Sequence, residues 1–185
     1  MEWKKFFKDF EPKSDKNTSH CYIDKYYSEE FSDKKELPIK LMEIGIRQGY
    51  SHLLWDDYFI NGEIWGVDNG ESGFTWEILD GTKIRIFKED AYSKDFVLNK
   101  LPKDYFDYII DDGSHHPTHK KLFIDLYYPL LKEGGKLIIE DVQGVGYFDE
   151  LINYCRSKNL KFKSIDLIHI NGRLDDLLIE ITKIW

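Results

Sequence analysis

The sequence holds 185 residues, 42% hydrophobic and 16% aromatic, which is enough for one domain with a substantial core. Acidic side chains outnumber basic ones by 34 to 26, giving a net charge of -8. That balance disfavours a nucleic-acid backbone or an anionic membrane as the main partner, because both are held by an excess of Lys and Arg. Cys21 and Cys155 lie far apart and outside ligand-like spacing, so neither a disulfide framework nor a thiolate metal site is expected. A reduced, cytoplasmic setting follows, and no apolar run of signal or membrane-spanning length interrupts the chain.

Trp3, Phe6, Phe7 and Phe10 recur at helical spacing and predict a short aromatic-faced helix ended by Pro12. Tyr22 and Tyr26 share a face of the next segment, which suits a lid over a polar ligand or a surface helix with half-buried tyrosines. Residues 1–35 are thus expected to form a helical cap, and residues 36–185 the main domain. From Ile39 an alternating pattern of strands and helices begins. Strands are predicted at Ile39 to Ile44, Glu63 to Val67, Lys83 to Phe87, Tyr105 to Ile110 and Lys136 to Ile139. Between them fall helices carrying Leu54, Trp55, Tyr58 and Phe59, then Ser72 to Leu79, Asp95 to Leu101, and Thr118 to Leu131 capped by Gly134 and Gly135. Another amphipathic helix carries Phe148, Leu151, Ile152 and Cys155. The chain closes with Phe162 to Ile170 and Leu177 to Ile184 as an antiparallel pair. The sum is an α/β fold: a doubly wound, Rossmann-like sheet of seven mostly parallel strands with a C-terminal antiparallel hairpin.

Ligands in such sheets bind beyond the carboxyl ends of the strands, and the chemistry-bearing residues collect there. Glu43, Gly45 and Gly49 follow the first strand with Ser51 beside them, Asp68 ends the second, and Asp90 and Ala91 follow the third. The dinucleotide pattern needs Gly where Arg47 stands, and Glu43 would repel a pyrophosphate while suiting a cationic amino-acid group. Asp68 can accept ribose hydroxyls and Asp90 an adenine amino group, so S-adenosylmethionine fits more economically than NAD. Read singly, the glycine pattern is also a plain strand-to-helix turn.

Asp111, Asp112, Gly113, Ser114, His115 and His116 end the fourth strand, and Glu140 and Asp141 end the fifth. Asp112, Glu140 and Asp141 form an all-oxygen set suited to Mg2+ rather than zinc or copper. His115 is the candidate base, since imidazole titrates near neutrality. Asp111 points away from Asp112 by strand alternation, toward the cofactor's methionine end or the metal. Asp-Asp-Gly is equally an ordinary turn sequence. His116 and His119 are expected to start the following helix and support the site rather than ligate a metal.

Together these residues resemble the metal-dependent sugar O-methyltransferases of macrolide biosynthesis, of mycinamicin and tylosin type, with related rhamnosyl O-methyltransferases and cephalosporin-hydroxylase-like proteins. The resemblance runs from about Ser14 to Lys183 and is most specific at residues 110–115 and 139–141. It implies a class I methyltransferase fold, with metal ligands at Asp112, Glu140 and Asp141 and the base at His115. The methyl-donor motif falls on Glu43, Gly45 and Gly49, with Asp68 for the ribose. The cluster of Asp15, Lys16, His20 and Tyr22 resembles the family's stretch near the active site, and Arg173, Asp175 and Asp176 its final hairpin. Tyr50 departs from the family, standing where a second Gly is common, and the family's extra N-terminal domain has no counterpart in this sequence. The implied activity is Mg2+-assisted O-methylation of a hydroxyl on a sugar or other small polar metabolite, with a homo-oligomer left open. A non-catalytic S-adenosylmethionine-binding protein or partner subunit is the alternative, followed by an NAD-dependent enzyme.

Overall fold

The computed structural model describes residues 5–7, 14–71, 73 and 75–184. Its strands are β1 (Lys40–Ile44), β2 (Glu63–Asp68), β3 (Arg85–Lys88), β4 (Phe106–Asp111), β5 (Leu131–Ile139), β6 (Lys161–Asp166) and β7 (Leu177–Thr182). They form a seven-stranded sheet in the order β3-β2-β1-β4-β5-β7-β6. The first five run parallel, and β7 is antiparallel to both β5 and β6. The strand order reverses between β1 and β4, which opens a crevice at their carboxyl ends.

Period-two alternation splits the core between the two faces of the sheet. Met42, Ile44, Ile109, Leu137 and Ile139 point to one face, with Phe96, Phe123 and Leu151 from the helices α2 (Lys94–Lys100), α3 (Pro117–Tyr127) and α4 (Val145–Ser157). Leu41, Ile110, Ile138 and Leu178 point to the other, where they meet α1 (Tyr50–Tyr58) through Leu54, Trp55 and Tyr58. On this second face the N-terminal segment lies beside α1 and contributes Phe7, Tyr22, Ile23, Tyr26, Tyr27 and Phe31 to the same core.

Trp55 is the hub of this face. It is fully buried, packs on Phe7, Tyr27 and Phe31, and donates its indole N–H to the Glu43 carboxylate. Trp55→Ala should therefore cost about 3–5 kcal/mol, a loss that urea unfolding would read. A change of less than about 1 kcal/mol would mean that the face is not packed as described.

Several sequence expectations need correction. The helix predicted for Thr118 to Leu131 ends at Tyr127, because Pro129 cannot continue it, and a single tight turn at Tyr128–Leu130 leads straight into β5. Gly134 and Gly135 do not cap that helix; they sit within β5, where the register against β4 shifts. Between β2 and β3 the expected helix is reduced to a turn at Glu77–Leu79. The predicted strand through Ile170 stops at Asp166, followed by a helical turn at Ile168–Asn171 that Gly172 closes with φ of 70°. Tyr22 and Tyr26 are not half-buried surface residues; both are buried. Of the aromatic helix, residues 5–7 are helical, while Trp3 and Phe10 lie outside the described residues. Among the described residues no helix is long and apolar enough to cross a membrane.

Candidate active site

A cavity of about 1120 Å³ opens at the carboxyl ends of β1, β2 and β4. Gly45 begins the loop after β1, donating its N–H to Val67 O at 2.9 Å, while Asp112 N reaches Ile44 O at 3.0 Å. The ladder thus continues one residue past each strand and fixes Gly45 against Asp112. Asp68 then organises the loop: its Oδ2 accepts the N–H groups of Ile46 at 2.8 Å and Arg47 at 3.2 Å, and its Oδ1 that of Gly70 at 2.7 Å. Gly45, Ser51, Asp68, Asp90, Ala91, Asp112, His115 and Asp141 all line the cavity. Gly49 opens α1 with φ of 86°.

Glu43, Asp111 and Glu140, by contrast, are fully buried behind the cavity wall. Asp111 points to the opposite face of the sheet, as alternation predicts, where it accepts Tyr92 Oη at 2.8 Å and pairs with buried Lys120 at 3.5 Å. Asp112 and Glu140 stand level, one residue past the ends of β4 and β5, and Glu43 lies two positions earlier in register, level with Ile110, so all three share parity and turn to one face. There the N-terminal segment covers them. Lys16 Nζ lies 2.7 Å from Asp112 Oδ2, bonds Glu140 Oε2, and stands 3.3 Å from Glu43 Oε1. Tyr27 donates its hydroxyl to Glu140 at 2.7 Å, and one strand further along Tyr26 donates to Glu180 at 2.8 Å.

Burial governs the electrostatics of this group. It raises Asp112 well above the usual carboxylate range against the pull of Lys16, with Glu140 and Asp141 adding repulsion. Glu140 is pushed up to about 7, again by burial opposed by Lys16 and reinforced by Glu43. For Lys16, burial favours the neutral amine, but Asp112, Glu140 and Glu43 outweigh it and hold the ammonium charged far into alkaline pH. Buried carboxylates at this density demand a cation, and Lys16 supplies one. Sequence reasoning placed Lys16 near the site but gave it no role. The signal that could find it is parity: three acidic side chains on one face of the sheet, largely withdrawn from water, require a counter-charge from the protein.

Asp141 takes a different path. Its backbone has φ of 53°, and its Oδ1 accepts the Tyr22 hydroxyl at 2.6 Å. His20 stacks on Tyr22, pairs with Asp176 at 2.6 Å and receives Arg173 at 3.3 Å. His115 sits at the cavity rim, and no hydrogen bond to its imidazole occurs among the described residues. Partial enclosure, then the Lys120 ammonium, lower its pKa, with Asp141 and Asp111 opposing. His116 caps α3 by accepting Thr118 N at 3.3 Å, and His119 bonds Ser114 Oγ at 2.8 Å while stacking on Tyr92.

The donor chemistry fits one expected ligand and not the other. Asp15, Asp68, Glu71, Asp90, Asp112, Asp141 and Asp175 line the cavity against the guanidiniums of Arg47 and Arg173, a wall that repels a pyrophosphate and suits a cationic nucleoside. A divalent ion does not fit the arrangement as it stands. Among the described residues two groups lie close enough to share an ion: His20 with Asp175 and Asp176, and Glu43 with Asp112 and Glu140. Neither is the expected set with Asp141, and the Lys16 ammonium is bonded among the second.

The sheet order and the site at its reversal define a class I methyltransferase fold. No family profile matches the chain. Mycinamicin VI 2''-O-methyltransferase of Micromonospora griseorubida is 29% identical over 127 residues, covering 63% of this chain and 30% of that enzyme. The 8-demethyl-8-(2-methoxy-alpha-L-rhamnosyl)-tetracenomycin-C 3'-O-methyltransferase of Streptomyces olivaceus is 30% identical over 125 residues, covering 63% and 31%. The MycE methyltransferase, solved with Mg, S-adenosylhomocysteine and mycinamycin VI, superposes with a TM-score of 0.67 at 21% identity over 90% of this chain and 50% of that one. The chain is thus similar over 63% of its length to enzymes named as sugar O-methyltransferases of the macrolide and tetracenomycin pathways. Its matches span about a third of those curated relatives' length.

Proposed function

We propose that this chain is an S-adenosylmethionine-dependent O-methyltransferase acting on a sugar hydroxyl or that of another small polar metabolite. The observation that carries the reading is one cavity wall holding the Gly45 loop, Asp68, Asp90 and His115 together, with acidic groups prevailing around them. In this reading Asp68 accepts from the ribose and Asp90 from the adenine, while Gly45, Ser51 and Ala91 line the donor's path and Gly49 turns the chain into α1 beside it. Bound there, S-adenosylmethionine supplies an electrophilic methyl on a sulfonium. His115 holds the acceptor hydroxyl by its proton and takes that proton as the oxygen attacks, and the cavity fixes the oxygen in line. Residues 1–35 serve as the cap and residues 36–185 as the donor-binding domain. Mg2+ belongs to the reading through the resemblance, and its share requires Lys16 to leave the carboxylates.

Isothermal titration with S-adenosylmethionine and S-adenosylhomocysteine, each in Mg2+ and in EDTA, tests this. Both nucleosides should bind, and methyl transfer to sugar-containing acceptors should follow. A folded, ligand-free sample that binds neither sinks the reading.

A further inference from the structure

We infer that Lys16 is a tethered cation seated in the cage of Glu43, Asp112 and Glu140, and that a divalent ion reaches Asp112 and Glu140 only in exchange for it. The inference rests on the Mg2+ share of the proposed function and is independent of the methyl donor.

Lys16 is 1% exposed and Glu43 and Glu140 are fully buried, so the cage is closed on the protein side. Its ammonium bonds Asp112 and Glu140 but leaves Glu43 Oε1, 3.3 Å away, without a hydrogen bond. A buried carboxylate oxygen thus faces the cage unsatisfied, and one ammonium stands against three carboxylates. A cation of higher charge would neutralise the cage better. It cannot join Lys16 there. Mg2+ sits about 2.1 Å from carboxylate oxygens, and an ion at that distance from the oxygens Lys16 bonds would press on the ammonium, cation against cation.

The segment that carries Lys16 is also part of the cavity wall. Ser14 caps its turn by accepting Lys16 N at 3.1 Å, and Thr18 Oγ1 bonds back to Ser14 O at 2.9 Å, so the turn holds together as a unit. Ser14, Asp15, Thr18, Ser19 and His20 line the cavity, whereas Lys16 points through the wall into the cage. Asp15 meets Arg47 of the Gly45 loop at 3.2 Å. Withdrawal of Lys16 would therefore shift part of the cavity wall together with the contact to that loop, so that filling the cage and shaping the cavity become one event.

Mn2+ is the probe, titrated calorimetrically without nucleoside into the wild-type chain and into Lys16→Met, which keeps the length of the side chain and removes its charge. The variant should bind Mn2+ at least about tenfold tighter, since no resident cation competes. In parallel, acylation of Lys16 in the wild-type chain, read by peptide mass spectrometry, should be negligible without Mn2+ and rise on its addition. This second measurement decides the matter if Lys16→Met does not fold. Equal Mn2+ affinity of the two proteins overturns the inference, as does a Lys16 that stays protected at saturating Mn2+. Absence of Mn2+ binding to both proteins overturns it as well, while nucleoside binding in EDTA would leave the methyltransferase reading standing.

Discussion

His115→Ala lowers methyl transfer by about 10²–10⁴-fold while leaving nucleoside affinity near that of the parent, the loss expected when a general base is removed. The expectation follows from where the side chain sits. His115 comes three residues after Asp112, on the loop that β4 projects over the cavity, and lines that cavity with an imidazole that makes no hydrogen bond among the described residues. Its neighbours are employed otherwise: His116 caps α3 and His119 is held by Ser114 and Tyr92. Partial enclosure and the Lys120 ammonium lower the pKa of His115, so the neutral, proton-accepting form persists as pH falls. The acidic limb of kcat/KM should accordingly lie below the ordinary imidazole value of about 6.5, and in His115→Ala that limb should vanish. A variant with parental activity on its acceptor, or with an unchanged acidic limb, would take the base role away from His115.

The frame of this site is visible in the sequence because strand ends are. Apolar runs ending at Ile44, Val67, Ile110 and Ile139 locate the carboxyl edge of the sheet, and the hydrophobic period marks its parallel strands. Where the fold departs from the periodicity, a competing local signal prevails. Pro129 stops α3 five residues before Gly134, the first of the two glycines expected to cap it, and those glycines lie instead where β5 shifts register. The stretch before β3 is too rich in Gly and Thr to sustain the helix expected there. The charge balance of the site was less legible. Four carboxylates at two strand ends demand a cation, but periodicity cannot say that it arrives from a segment 96 positions away from Asp112. Nor can it say that Tyr22, Tyr26 and Tyr27 are buried to give their hydroxyls to Asp141, Glu180 and Glu140. Those are tertiary facts, and they turn an aromatic, polar N-terminal stretch from a surface helix into the inner wall of the site.

Gly45→Ala is the substitution expected to disturb that wall most. Gly45 has φ of 89°, a conformation that costs an alanine about 1–2 kcal/mol before any contact is considered. A Cβ there would lie 2.2 Å from the carbonyl oxygen of Asp112 and 2.8 Å from its carbonyl carbon, and both are backbone atoms that no side-chain rotation can move away. Relief requires β1 and β4 to part at their ends, which strains the bonds from Gly45 N to Val67 O and from Asp112 N to Ile44 O. The total should reach about 3 kcal/mol or more, and because the loop also carries the N–H groups that Asp68 accepts, nucleoside affinity should fall with it. Gly49→Ala shares the positive φ but meets only the flexible side chain of Leu79, at 2.9 Å and beyond, so its cost should be smaller. Gly146 lies in the first turn of α4 with nothing within 4 Å of an added Cβ, and there alanine should be neutral or stabilising by up to about 1 kcal/mol. Urea unfolding of the three variants should rank them in that order, and calorimetric titration with S-adenosylhomocysteine should show the largest loss for Gly45→Ala. If Gly45→Ala unfolds at the same urea concentration as Gly146→Ala, the close approach of the β1 loop to Asp112 is wrong, and with it the arrangement that sets the Gly45 loop against the end of β4.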